Sequence, residues 1–352
     1  MKRVLFIARN RYRIPLSPSL RLKWDALARV FELRVLAASP DRSSGDQTFR
    51  LRPRSAFDGP LFWLSFPARI KREVRAFRPD AIVAQSPFEA AAALVARTGV
   101  PVIVELHGDW RTFGRLYGSG ARRAISGVAD AVGTWAVKRA AKVRAVSPYT
   151  ERLAHEVGRE PAGVFPAFMD LAPFAAPPVP LPEQTVALFI GVLEPYKNID
   201  GLAEAWRLAR PNAELRIVGK GTRTDVVASL VRDGLATWQP ELSTADVVRA
   251  LDDASVLILP SRSEGMGRVV IEAQLRGRPV LGSNLGGIRD LVTDGVDGKL
   301  FTPEPRAIAE ALQVLDDPAE LARLAASARA AGERWLVSPD GYAERMRALV
   351  DA

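Results

Sequence analysis

PSRSEGMGRVVIEAQLRG, residues 260–277, follows an apolar run, Val256–Leu259, of the kind that forms a buried parallel strand. Gly265 and Gly267 punctuate a turn, and from about Gly267 the pattern is helical. Glu264 therefore falls at the carboxyl end of a strand, where open α/β sheets bind their ligands. Glu272 falls about a turn and a half into the helix, and helical side chains lean back toward the amino end. Both carboxylates can then face one crevice, and each can accept two hydrogen bonds from a vicinal diol. Gly265, Met266 and Gly267 would let an anion approach the backbone N–H groups that begin the helix. Diol acceptors on either side of a phosphate cradle suit a nucleotide sugar. Two Glu at this spacing also arise by chance, and a glycine pair can serve a turn alone, so the surrounding chain must carry the reading.

Its 352 residues are enough for two domains, and 48% hydrophobic with 25% charged residues is an ordinary globular composition. The absence of Cys excludes disulfides, a thiol nucleophile and Cys-ligated zinc, and fits a reducing compartment. The opening MKRVLFIARNRYR holds too short an apolar run for a secretory signal, and no stretch approaches the ~20 apolar residues of a membrane span. A cytoplasmic protein is expected, at most peripheral at the inner face of the membrane. Net charge is +9 but uneven: residues 1–182 carry 29 Lys/Arg against 15 Asp/Glu, and residues 183–352 carry 20 against 25. Such polarity directs the first half toward an anionic partner, a membrane surface or a phosphorylated acceptor, although solvated helix faces would give the same count. The aromatic and basic stretch 60–79 has the character of a membrane-surface helix, with Phe62, Trp63 and Phe66 available to lipid and Ile70, Val74 and Phe77 at core spacing.

Short apolar runs predict strands at Val4–Ala8, Leu33–Ala37, Ala81–Ala84, Val102–Leu106 and Val143–Val146, then at Thr185–Ile190, Glu214–Val218, Val256–Leu259 and Pro279–Leu281. Helical patterns alternate with them, among them Leu20–Phe31, Pro67–Phe77, Phe88–Arg97, Arg122–Ala140, Pro148–Val157, Ile199–Ala209, Ala319–Ala331 and Pro339–Val350. Alternation of this kind predicts an α/β protein with two parallel sheets. Proline-rich residues 167–184 read as a stiff linker between a domain of residues 1–166 and one of residues 185–335, with residues 336–352 packing back on the first.

Nearly the whole chain resembles the family four retaining glycosyltransferases (glycosyl transferases group 1). That resemblance implies the GT-B fold, two facing Rossmann-like domains with a cleft between them. It also implies retaining transfer of a hexosyl unit from a nucleoside diphosphate sugar to a sugar, lipid-linked or phosphorylated acceptor, in envelope polysaccharide or glycolipid synthesis. No metal and no cofactor other than the nucleotide sugar would be needed, and no nucleic acid is expected as a partner. By resemblance Glu264 fixes donor-sugar hydroxyls, Glu272 binds the ribose, and Gly265, Met266 and Gly267 present amides. In GVLEPYKNID, from Gly191, Lys197 matches the phosphate-binding Lys, while Val192 stands where the family has Arg; Arg268 is one substitute. His107, in ELHGDW, matches the active-site His. The family's first loop is Gly-rich; here ARNRYRIPLSPS offers Arg9, Arg11 and Arg13, which with Asp109 are the candidate acceptor ligands. FPAFMDLAPF matches the interdomain crossover and GGIRDLVTDGVDGKLF the Gly286–Gly287 stretch near the donor. Two rival readings remain: a GT-B sugar-nucleotide epimerase, and a non-catalytic basic binding protein.

Overall fold

A computed structural model of the chain describes residues 1–41, 43–52, 60–112 and 126–352, the side chains of residues 60–62 excepted. The chain divides into two compact units: residues 1–169 with 337–352, and residues 170–336.

In the first unit, β1 (Arg3–Arg11), α1 (Pro18–Val30), β2 (Glu32–Ala38), β3 (Phe49–Arg52), α2 (Pro60–Phe77), β4 (Ala81–Ala84), α3 (Pro87–Val95), β5 (Val102–Leu106), α4 (Ser126–Arg139), β6 (Lys142–Ala145), α5 (Pro148–Glu156) and β7 (Gly163–Val164) follow in order. All pairings in the sheet are parallel, in the order β3-β2-β1-β4-β5-β6-β7. Strands buried on both faces need apolar runs, which is why VLFIA, AIVA and VIVEL read so clearly. Serines cap α3 and α5: the Ser86 and Ser147 hydroxyls accept from the backbone N–H of Phe88 and Thr150, and a proline opens each helix.

One face of this sheet is covered by α2, α3 and α4, through Phe66, Ile70, Phe77, an alanine run in α3, Ala136 and Val137. Phe66 is fully buried and Trp63 packs against the same core, so these two aromatics hold the fold instead of facing lipid; the side chain of Phe62 lies outside the described residues. Residues 122–125, expected to begin α4, also lie outside them. The other face is covered by α1 and by the last helix of the chain.

The second unit runs β8 (Val186–Ile190), α6 (Ile199–Ala209), β9 (Glu214–Val218), α7 (Thr224–Arg232), β10 (Thr237–Gln239), α8 (Thr244–Asp252), β11 (Val256–Leu259), α9 (Arg268–Leu275), β12 (Val280–Ser283), α10 (Ile288–Leu291), β13 (Gly298–Phe301), α11 (Pro305–Leu312) and α12 (Pro318–Glu333). Its parallel sheet has the order β10-β9-β8-β11-β12-β13. The chain then returns to the first unit as α13 (Pro339–Asp351), where Tyr342, Met346 and Leu349 are buried beside α1.

Proline-rich residues 170–182 are strapped to the second unit by arginines. Arg276 donates to Ala176 O at 2.7 Å, Arg329 to Ala175 O at 2.9 Å and Ala176 O at 2.8 Å, and Arg278 to Pro180 O at 3.2 Å. Prolines leave carbonyls without a sheet or helix to receive them, and guanidinium forks serve as the donors instead.

Candidate functional site

In the second unit the carboxyl ends of β8 and β11 bring Lys197 and Glu264 together. Lys197 ends a short 3₁₀ turn, Pro195–Lys197, and its ammonium donates to Glu264 Oε1. The Ser261 hydroxyl donates to the same oxygen at 3.1 Å. Both charged side chains are near the surface without lying open on it, at 11% and 13% exposure. Gly191 lies against the lysine stem, with space for a Cβ no closer than 3.5 Å.

The turn after Glu264 is held from behind by the Gly286–Gly287 pair. Gly287 N–H donates to Glu264 O at 2.9 Å, and a Cβ at Gly287 would stand 2.5 Å from Gly265 O. No residue that carries a Cβ lets two backbones approach so closely. Gly267 begins α9 with φ +78°, and no side chain caps that helix. Its first amides, with the positive end of the helix dipole, lie between Glu264 and Glu272 in sequence and are groups of the kind that attract an anion. Glu272 is almost fully buried on α9; burial raises its carboxyl above the ordinary range, and its ion pair with Arg268 partly opposes that. Arg268, expected as a free cation for a diphosphate, is already engaged by Glu272 and by Asp170 O at 3.4 Å.

Sequence reasoning missed the residues that hold this loop set. Asn198 sits in the left-handed region at φ +57°, donates to Pro303 O at 2.8 Å and accepts from Arg262 Nε at 3.1 Å. Arg262 N–H in turn donates to Tyr196 O at 2.7 Å, tying the Lys197 turn to the segment before Glu264. An Asn just ahead of a helix, in YKNID, was the available signal, since Asn tolerates the left-handed region.

In the first unit, His107 follows β5 with its ring well exposed, and its Nε2 lies 3.4 Å from Glu105 Oε2. Glu105 is sealed. Burial pushes its carboxyl upward, but the Arg144 guanidinium and His107 outweigh this and hold it well below the ordinary carboxylate range. Arg144, fully buried, donates to Glu105, to Phe165 O at 3.1 Å and to Pro166 O at 2.6 Å. Asp109, expected to face an acceptor, is committed to Arg111, which donates to it through Nε at 2.9 Å and the backbone N–H at 2.9 Å. Arg9 and Arg11 lie on β1, which runs further than the apolar pattern predicts, and Arg13 follows in the loop; all three are exposed. The Arg9 N–H donates to buried Glu89 at 3.0 Å. Among the described residues no group of three or more acidic or His side chains is gathered that could hold a metal ion, and no helix is long and apolar enough to cross a membrane.

Known families and structures are similar to this arrangement over most of its length. Residues 24–172 match the family described as Glycosyltransferase Family 4, and residues 176–331 match Glycosyl transferases group 1. The chain is 32% identical over 237 residues to D-inositol 3-phosphate glycosyltransferase of Kineococcus radiotolerans, covering 55% of this chain and 53% of that one, so it spans about half the length of such curated relatives. Sucrose-phosphate synthase from Thermosynechococcus elongatus is similar in structure, with TM-score 0.78, 20% identity and coverage of 98% of this chain and 97% of that one. Anabaena Alr3699/HepE in complex with UDP-glucose gives TM-score 0.74 at 20% identity with both chains fully covered.

Proposed function

The chain belongs to the family-four type of glycosyltransferases, with the GT-B fold, and from that premise we propose that it transfers a hexosyl unit from a nucleoside diphosphate sugar with retention of configuration and without a metal. The observation that carries the reading is the Lys197–Glu264 pair, set beside an uncapped helix start whose glycines bring backbone amides into reach. The pair is part-exposed, so an incoming donor can take up what each now gives the other. Glu264 would accept sugar hydroxyls and Lys197 would turn to the diphosphate, while Glu272 would accept from the ribose. Arg268 would steady Glu272 and leave the diphosphate to Lys197 and the α9 amides.

In the transfer, the bond between the anomeric carbon and the diphosphate oxygen breaks as the acceptor oxygen bonds to that carbon from the same face. The acceptor proton passes to the departing phosphate oxygen, so no side chain need act as a base. Cations and helix amides stabilise the charge that develops there, the largest single contribution in such sites. His107 would orient the donor sugar, and exposed Arg9, Arg11 and Arg13 suit an acceptor bearing phosphate or carboxylate. That class agrees with the inositol phosphate acceptor in the name of the Kineococcus relative. Envelope glycan or glycolipid synthesis is the setting proposed.

A thermal-shift screen of UDP-, GDP- and ADP-sugars tests the donor half. A donor at a hundred times its Kd adds about 2.7 kcal/mol of stability. Incubating the responding donor alone, and then with glycerol phosphate, inositol phosphate or simple glycosides, tests the transfer half. New glycoside with a retained anomer supports the reading; an altered sugar without acceptor indicates an epimerase; no response to any nucleotide sugar overturns both.

A further inference from the structure

The outward side of α2 differs from its core side. Leu64, Ala68, Lys71 and Arg75 follow one another at helical spacing, with Arg72 and Ala76 beside them. Ala68, Lys71, Arg72, Arg75 and Ala76 line a surface cavity of about 630 Å³. Lys71, Arg72 and Arg75 are exposed, and none of them has an ion pair among the described residues. Glu73, the acid of this helix, is buried and taken by Arg34 at 3.1 Å. Next to the cluster, Arg69 has a buried guanidinium nitrogen without a hydrogen-bond partner among the described residues. Burial first, then repulsion from Arg52 and Arg72, lowers its guanidinium to about 10. Cations that crowd one another in this way are stabilised by an anion.

The same helical layer carries an apolar stripe. On α4, Val128, Val132 and Trp135 recur at i, i+4 and i+7 and remain 68%, 40% and 41% exposed, and Leu64 on α2 is 78% exposed. Lys138 and Arg139 are exposed at the end of α4. Both helices cover one face of the sheet, α2 and α4 packing over the same core as α3. A small phosphate has no use for these apolar side chains, and a nucleic acid has none for exposed valines and leucine. An anionic bilayer uses both, phosphates for the cations and the headgroup–acyl boundary for the apolar residues. We propose that the α2–α4 layer of the first unit docks on an anionic lipid bilayer, with Lys71, Arg72 and Arg75 at headgroup phosphates and Leu64, Val128, Val132 and Trp135 entering the boundary below.

The face contains none of the residues assigned to transfer, so its failure and that of the transferase reading are separable. The test is cosedimentation of the full chain with phosphatidylcholine vesicles, with and without phosphatidylglycerol. Binding is expected only with phosphatidylglycerol and should weaken with salt. The triple variant Lys71→Gln/Arg72→Gln/Arg75→Gln should lower partitioning roughly a hundredfold, at about fivefold per cation. Val132→Ser/Trp135→Ser should lower it at least tenfold while leaving salt dependence in place. The response to the nucleotide sugar should be unchanged in both variants. The melting temperature should hold in the triple variant, and the part-packed Val132 and Trp135 make a modest drop the expectation in the double variant, which is assayed below its melting temperature. Equal partitioning into both vesicle types overturns the proposal, as does wild-type binding by the triple variant. Displacement from vesicles by millimolar glycerol phosphate would assign the cluster to a free phosphate, and tighter binding of duplex DNA than of vesicles would assign it to a polyanion; either outcome also overturns it.

Discussion

Each unit places an acid–base pair at the carboxyl end of its sheet, and the two pairs differ in what else they touch. Glu105 and Arg144 in the first unit are 3% and 0% exposed, and Arg144 adds two backbone carbonyls and the faces of Phe165 and Tyr342. Lys197 and Glu264 in the second unit have fewer partners and keep an edge to solvent. A sealed pair cannot exchange partners without exposing a bare charge to a low-dielectric interior, so it acts as an anchor. A pair that keeps an edge to solvent can exchange partners at a smaller desolvation cost, which is what the proposed donor site asks of it. Similar chemistry thus is sealed into the fold in one unit and keeps an edge to solvent in the other.

The contrast can be broken by substitution, beginning with the anchor. Arg144→Met leaves Glu105 buried with only the His107 ring at 3.4 Å for a partner and should cost about 3–5 kcal/mol of unfolding free energy, read by urea denaturation. A loss below about 1 kcal/mol would show that the two pairs do not differ in kind. At the rim, Glu264→Ala should slow transfer by about 10²–10³-fold, as for loss of one charge-stabilising contact, while the urea midpoint moves little. Near wild-type turnover would remove Glu264 from the site.

Another sealed carboxyl in the first unit sharpens the comparison through pH. Burial pushes Glu89 from 4.5 up to about 7, against the Arg9 N–H and the Arg9 charge, which pull it down. The folded protein therefore binds this proton more tightly than the unfolded chain. Stability should fall as pH rises from about 4.5 through about 7, by up to about 3 kcal/mol, and then level off. Glu89→Gln should flatten that limb in thermal melts taken across the window.

Two glycines of the second unit predict the smallest changes and separate crowding from conformation. Gly287→Ala pushes a methyl into the Gly265–Met266 backbone and should cost about 1–3 kcal/mol together with donor affinity. Gly267→Ala meets nothing closer than 3.5 Å, so it should cost about 1–2 kcal/mol of left-handed strain only. Equal losses of donor affinity in the two variants would remove the distinction.

How far the sequence could be read follows from where each residue sits in its sheet. The interior strands announce themselves, because strands covered on both faces must be apolar throughout. The four strands missed by the apolar pattern are FRLR in β3, GV in β7, TWQ in β10 and GKLF in β13, the four sheet edges. Edge strands are kept short and polar to discourage further pairing, so periodicity does not reveal them. The site divides in the same way. Lys197 and Glu264 meet, as their positions at two strand ends of one sheet suggested. That Asp109 is consumed by Arg111, that Arg268 turns to Glu272, and that Phe66 faces the core are outcomes of side-chain packing, which spacing does not encode.

The return of α13 to the first unit has a consequence for the order in which a growing chain can fold. Residues 170–336 are continuous and can close their own core as soon as they leave the ribosome, whereas the face formed by Val4, Phe6 and Val35 waits for Tyr342, Met346 and Leu349. Lys142, made some two hundred residues earlier, finds its acceptor at Leu349 O, 2.8 Å away, only once α13 has been made. A nascent chain that has not yet reached α13 would therefore carry a finished second unit together with an open apolar surface on the first, the form that proteases and chaperones select.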